Sequence, residues 1–139
     1  HESIVMELQG YDIEIMRLEE WGVPDYYELI LITNKSFLEE NKSDVEKVVN
    51  SFKKGYEFSI KNPQESITSL ISIAGAEIVE EDVERAGVEL LIPMWQSNNL
   101  PFGHQDISKW EETYEWMYQN NFLEKELIIE NLFIDEFSN

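Results

Sequence analysis

Apolar and polar residues follow helical spacing along most of the chain and alternate in one short segment near its start. The first apolar residues share one helical face, which predicts a helix over residues 3–9 that ends at Gly10. The segment YDIEIMRL (11–18) alternates, as a half-buried strand does. The segment YELILIT (27–33) has four consecutive apolar residues, which is typical of a strand covered on both faces.

A long helix is predicted from Ser36 to Asn62, because apolar residues recur there at helical spacing. Within it, SDVE (43–46) forms a capping box, in which the serine and glutamate satisfy backbone amides of a first helical turn. The next helix has Asn62 as its N-cap and Pro63 at its first position. Gly75 is expected to end it.

Two further helices and a tail are predicted in the second half. The first covers Glu81–Leu91 and ends before Pro93, which cannot continue a helix. After a loop (94–106), Asp106 caps a helix whose apolar face is expected in the core: Ile107, Trp110, Tyr114 and Met117. The tail (120–139) has one apolar stretch, interpreted as a short helix and a docking segment.

The order of these elements predicts an α/β protein with two early strands and mostly helices after them. A helix followed by a strand resembles a β-α-β unit that lacks its first strand. A sheet of two strands is marginal by itself. Either the helices form a bundle and the strands pair between chains, or the rest of the sheet lies in sequence beyond this chain.

Composition narrows the classes of function. The 139 residues suit one domain and carry a net charge of −19, from 10 basic and 29 acidic residues. Such a balance excludes a basic face for nucleic acid and disfavours binding to anionic membranes. No cysteine is present, so the sequence offers no disulfide, thiolate nucleophile or cysteine metal site.

Candidate catalytic chemistry is sparse. The sequence has two histidines, His1 and His104, and neither a G-x-S-x-G motif nor a glycine-rich phosphate loop. We therefore predict no catalytic residue, no metal site and no cofactor. Aromatic residues offer more: Trp21, Tyr26 and Tyr27 flank the first turn, and Trp95, Phe102 and His104 belong to the later loop. Rings on loops either grip a flat ligand or fill the core beneath the loops.

Several segments resemble the thiamine pyrimidine precursor (formyl-aminopyrimidine) binding proteins of ABC importers. They are GVPDYYELILITNKSFLEEN, VVNSFKKGYEFSIKNPQES and PFGHQDISKWEETYEWMYQNNFLEK, in this order. The resemblance extends from Glu2 to Phe137. The same broad group includes fungal pyrimidine-precursor synthases, whose activity depends on iron and a cysteine-rich motif. Because this chain has no cysteine, we do not expect that activity, and we expect no enzyme.

The resemblance implies the C-terminal part of a type II periplasmic-binding-protein fold. Residues 1–21 would end the second lobe with a helix and a strand. Residues 22–28 would form the hinge crossover, and residues 29–139 the C-terminal part of the first lobe. The missing part would carry an export signal, so the whole protein is expected outside the cytoplasm, periplasmic or anchored as a lipoprotein.

The resemblance also implies a function and a site. The whole protein would deliver a thiamine pyrimidine precursor to an ABC permease, trapping it between its lobes. Glu2 falls where family members carry a ligand-binding glutamate, although Ser3 replaces the glycine that usually follows. Trp21, Tyr26 and Tyr27 beside the hinge are the other expected ligand contacts. Two alternatives stay open: a sulfonate-, nitrate- or riboflavin-type ligand, or a stand-alone acidic interaction domain that self-associates through unpaired strand edges.

Overall fold

The structure is a computed structural model of the chain and describes residues 2–75, 77–96, 100–101 and 103–137. Five α-helices dominate this part, and two 3-10 turns occur at Leu18–Trp21 and Ile129–Asn131. In chain order the helices are α1 (Glu2–Leu8), α2 (Lys35–Lys61), α3 (Pro63–Ala74), α4 (Glu81–Trp95) and α5 (Ile107–Gln119). Each predicted helix is thus present, with shifted ends. Within the described ranges, no helix combines the length and apolar character that crossing a membrane requires.

The two strands predicted at 11–18 and 27–33 are not formed in the described part of the chain, so this detail of the predicted fold is not confirmed. Both segments are largely irregular backbone, and the first ends in a 3-10 turn. A strand needs a neighbour that pairs with its backbone N–H and C=O groups, and neither segment has one here. The apolar run therefore lies in solvent, with Leu29 exposed by 89% and Ile32 by 85%.

Helix α2 begins earlier than the predicted capping box. Asn34 is its cap, because its side-chain oxygen accepts the Phe37 amide N–H at 2.7 Å and the Ser36 hydroxyl at 2.8 Å. Asn41 leaves helical geometry at φ −129° and ψ 31°, just before Ser43. The polar residues at 43–46 consequently follow a kink inside α2 rather than begin the helix.

The ends of α3 and α4 also differ in part from their predicted ends. Asn62 makes no side-chain cap for α3, and its Nδ2 instead donates to the Phe58 carbonyl at 3.2 Å, at the end of α2. Pro63 does start α3, and Gly75 ends it with a positive φ of 95°. Helix α4 continues through Pro93 to Trp95, because a proline in the last turn removes a single backbone hydrogen bond.

Internal contacts divide the chain into two units. Unit 1 comprises residues 1–15 and 48–102, and unit 2 comprises residues 16–47 and 103–139. In unit 1, α4 packs on both α1 and α3, and the buried apolar residues are Ile4, Ile67 and Val83. In unit 2, α5 packs on the 3-10 turn Ile129–Asn131, where Ile129 is buried. The tail thus contains the predicted docking segment.

The aromatic face of α5 is less buried than expected for a core. Trp110, Tyr114 and Met117 are half-buried, and Ile107 is exposed. Trp110 stacks on Phe133 of the tail, with ring centroids 5.5 Å apart and planes within 1° of parallel. The face is therefore only partly covered, with the tail packed against Trp110.

Candidate functional site

Residues 22–28, predicted as the hinge crossover and called the crossover below, lie in unit 2 with three of the predicted site residues in or beside them. A 3-10 turn leads into it, and Gly22 takes the left-handed conformation at φ 87°, which glycine adopts without strain. Trp21 is 70% exposed, Tyr26 is also exposed, and Tyr27 is half-buried. Trp21 and Tyr26 therefore present ring surface to solvent, as a ligand contact requires.

Tyr27 is held against the start of α5. Its hydroxyl oxygen accepts the Asp106 backbone N–H at 2.8 Å. Its ring lies 5.0 Å from the Lys109 ammonium nitrogen and 6.1 Å from the Trp110 ring. Lys109 also pairs with Asp25 of the crossover, with Nζ and Oδ2 2.6 Å apart. These contacts fasten the crossover to the loop that precedes α5.

Asp106 caps α5, as predicted. One carboxylate oxygen accepts both the Ser108 backbone N–H and the Ser108 hydroxyl, each at 2.9 Å. The Ser108 amide, and after it the hydroxyl, hold the pKa of the Asp106 carboxyl below its usual range because they stabilise its charged form. The capping contribution is therefore present above the ordinary aspartate pKa and is lost as pH falls through the lowered pKa.

The loop before α5 is also tied to the tail through Asp135. One Asp135 oxygen lies 2.8 Å from Nδ1 of His104, and the other accepts the Gln105 backbone N–H at 2.9 Å. The Gln105 side-chain oxygen accepts the Trp110 indole N–H at 2.9 Å. Polar groups of residues 104–106 thus have partners in the crossover, in α5 and in the tail, all within unit 2.

Not all of the expected aromatic contacts come together. Trp95 belongs to unit 1, where its ring meets Tyr56 edge-on with centroids 5.0 Å apart. Phe102 and His1 lie outside the described residues. Glu2 is an exposed residue in the first turn of α1, in unit 1. The structure therefore places Trp21, Tyr26 and Tyr27 in one unit and Glu2 in the other.

Asp25, Lys109 and Asp135, which join the crossover, α5 and the tail, were not predicted as site residues. Charged residues are frequent in this chain, and their pairing depends on segments far apart in sequence. Among residues 2–75, 77–96, 100–101 and 103–137, no group of three or more histidine or carboxylate side chains is arranged to hold a metal ion. The arrangement in unit 2 offers aromatic surface and hydrogen-bonding groups, which suits binding of a small molecule.

Comparison with known proteins supports this interpretation. Residues 1–66 match the protein family described as NMT1/THI5 like. A formylaminopyrimidine-binding protein of Halalkalibacterium halodurans is 32% identical over 136 residues, which cover 96% of this chain and 41% of that protein. The chain therefore spans about two-fifths of the length of this relative. The resemblance inferred from the sequence is confirmed: residues 1–66 match the NMT1/THI5-like family, and the chain is similar to part of a formylaminopyrimidine-binding protein along nearly its whole length.

Proposed function

We propose that the chain is part of an extracytoplasmic solute-binding protein that delivers a thiamine pyrimidine precursor to an ABC importer. The observation that carries this proposal is the 32% identity to a formylaminopyrimidine-binding protein over 96% of the chain. The aromatic residues of the crossover support it, because a flat pyrimidine binds well against exposed rings. The protein captures and releases its ligand without chemical change, and the permease is its partner.

The proposed architecture is the C-terminal part of a type II periplasmic-binding-protein fold, in keeping with the fold of the NMT1/THI5-like family. Residues 1–21 end the second lobe, residues 22–28 are the hinge crossover, and residues 29–139 belong to the first lobe. In the whole protein, residues 27–33 join the sheet of that lobe. The exposure of Leu29 and Ile32 supports this assignment, because a sheet would cover both.

The proposed ligand contacts are Glu2, Trp21, Tyr26 and Tyr27. A carboxylate pairs with the amino group of an aminopyrimidine, and the rings stack on its faces. Tyr27 already accepts a hydrogen bond through its hydroxyl oxygen, and its hydroxyl proton remains available for donation to a ligand. Export, as a periplasmic protein or lipoprotein, is part of the same proposal.

A ligand titration of the complete product of the gene tests the function. Tryptophan fluorescence is followed while formylaminopyrimidine is added, with taurine and nitrate as controls. We expect saturable binding of the pyrimidine alone. Saturation by taurine or nitrate instead would move the protein to the sulfonate or nitrate group, and no saturation by any of them would refute the binding function.

Substitution of Glu2 tests its assignment. Glu2→Gln keeps the size of the side chain and removes its charge, so we expect pyrimidine binding to weaken by on the order of 1–3 kcal/mol, because a buried polar group of the ligand loses its charged partner. Isothermal titration calorimetry measures the change. Glu7→Gln on the same helix is the matched control and should bind as the unsubstituted protein does. Equal affinities for all three would remove Glu2 from the site.

The exposed apolar run at residues 29–32 favours a second candidate function, an acidic interaction module that associates with itself. Unpaired backbone next to exposed apolar side chains is a template for strand pairing between copies. The complete gene product discriminates between the two candidates: a binding protein is monomeric and binds the pyrimidine, whereas an interaction module forms dimers and does not.

A further inference from the structure

The loop that precedes α5, residues 103–106, is fixed beside the crossover. Asp106 donates its backbone N–H to the Tyr27 hydroxyl, and Lys109 pairs with Asp25. Both contacts lie at the crossover, which the proposed function places next to the ligand. The loop is therefore positioned to supply a further side chain to the same ligand.

His104 has the chemistry for that role. An ionised carboxylate only accepts hydrogen bonds, so Nδ1 of His104 carries the hydrogen that faces Asp135 at 2.8 Å. In the neutral ring Nε2 is then an acceptor. Among the residues that the structure describes, Nε2 makes no hydrogen bond, and 30% of the His104 side chain is exposed.

The polar side chains next to His104 already make hydrogen bonds within unit 2. The side-chain oxygen of Gln105 accepts the Trp110 indole N–H, and an Asp106 carboxylate oxygen accepts from Ser108. One carboxylate oxygen of Asp135 contacts the His104 ring and the other accepts the Gln105 backbone N–H, so Asp135 holds the imidazole in place. Within the described part of the loop, the neutral form of His104 thus presents an oriented acceptor.

We propose that His104 is a ligand-binding residue, whose Nε2 accepts a hydrogen bond from the amino group of the aminopyrimidine, and that Asp135 is its positioning residue. This inference rests on the proposed binding function. An aminopyrimidine offers N–H donors on its amino group, and a neutral imidazole nitrogen pairs with one of them.

The test compares His104→Asn with the unsubstituted complete gene product by calorimetric titration. Asparagine keeps an N–H near the position of Nδ1 for Asp135 but has no atom at Nε2. We expect formylaminopyrimidine to bind about tenfold more weakly, which is the effect of one lost hydrogen bond to the ligand. The same pyrimidine with hydrogen in place of its ring amino group should bind both proteins equally.

Each other outcome has a definite meaning. Equal weakening for both ligands would show that His104 acts only on the fold, and no weakening for either would show that it does not touch the ligand; both overturn the inference. If the unsubstituted protein binds neither ligand, the proposed function itself fails, and the inference falls with it.

A measurement on the unsubstituted protein tests the inference even if His104→Asn does not fold. In the nitrogen NMR spectrum, the His104 Nε2 resonance should move when formylaminopyrimidine is added and stay in place with the analogue that lacks the amino group. A resonance that does not respond to saturating formylaminopyrimidine would overturn the assignment.

Discussion

Ile67 of α3 and Val83 of α4 are the most deeply buried residues that the structure describes in unit 1, with exposed fractions of 2% and 3%. Both lie on helices that pack against each other. Because buried apolar residues are few in this unit, each of them carries a large share of its hydrophobic stabilisation.

Substitution of Ile67 by alanine should therefore destabilise unit 1 by about 2–4 kcal/mol, since it removes buried methyl groups and leaves a cavity. Urea unfolding followed by circular dichroism measures the change. Ile73→Ala is the matched control, because Ile73 lies on the same helix with an exposed fraction of 86%. If Ile73→Ala lowers the free energy of unfolding as much as Ile67→Ala does, the packing described for α3 is contradicted.

Residue patterns single out some of the residues around the crossover and not others, for a physical reason. Trp21 and Tyr26 stand out in the sequence, because a turn does not itself require aromatic side chains. Asp135 does not stand out, since its role depends on His104, which lies 31 positions away. Pairing between distant segments leaves no periodic signature in a single sequence.

Elements are the scale at which sequence patterns worked best. The five helices follow apolar periodicity, and Gly10 and Gly75 mark two of their ends with positive φ. The start of α2 was predicted to within one residue, but the capping box at 43–46 lies inside the helix, because two polar stretches, at 34–36 and 43–46, each offer capping side chains. Local sequence does not decide whether residues 11–18 and 27–33 form strands, because a strand forms only beside a partner strand.

The cap of α2 provides a prediction at this scale. Asn34→Ala removes the oxygen that accepts the Phe37 amide N–H, so we expect helix stability to fall by about 1 kcal/mol. Helical circular dichroism during thermal unfolding reports the loss. Ser43→Ala is the comparison, and it should change the melting temperature less. A larger effect of Ser43→Ala would indicate that the helix begins at the capping box, residues 43–46.

The whole molecule combines a net charge of −19 with a large exposed apolar surface. Charge repulsion opposes association of copies, whereas apolar exposure favours it. Ionic strength decides the balance, because salt screens the repulsion and leaves the apolar attraction in place.

We therefore expect the isolated chain to associate increasingly as salt is raised, and Ile32→Lys to suppress that association. Sedimentation velocity at low and high salt measures it. Ile78→Lys is the matched control, because Ile78 is also exposed but belongs to unit 1, whereas the run at residues 29–32 belongs to unit 2. If both lysine variants associate as the unsubstituted chain does, the run at residues 29–32 is not the contact surface.

The separation in sequence of the contacts in unit 2 has a consequence for how the protein is made. Tyr27 meets Asp106 across 79 positions, and Lys42 pairs with Glu136 across 94 positions. A ribosome needs on the order of 10 s to add that many residues. During this interval the apolar run at residues 29–32 has emerged while its unit is still incomplete. The nascent chain therefore carries Tyr27 and Lys42 without these partners until residues 106 and 136 have been translated.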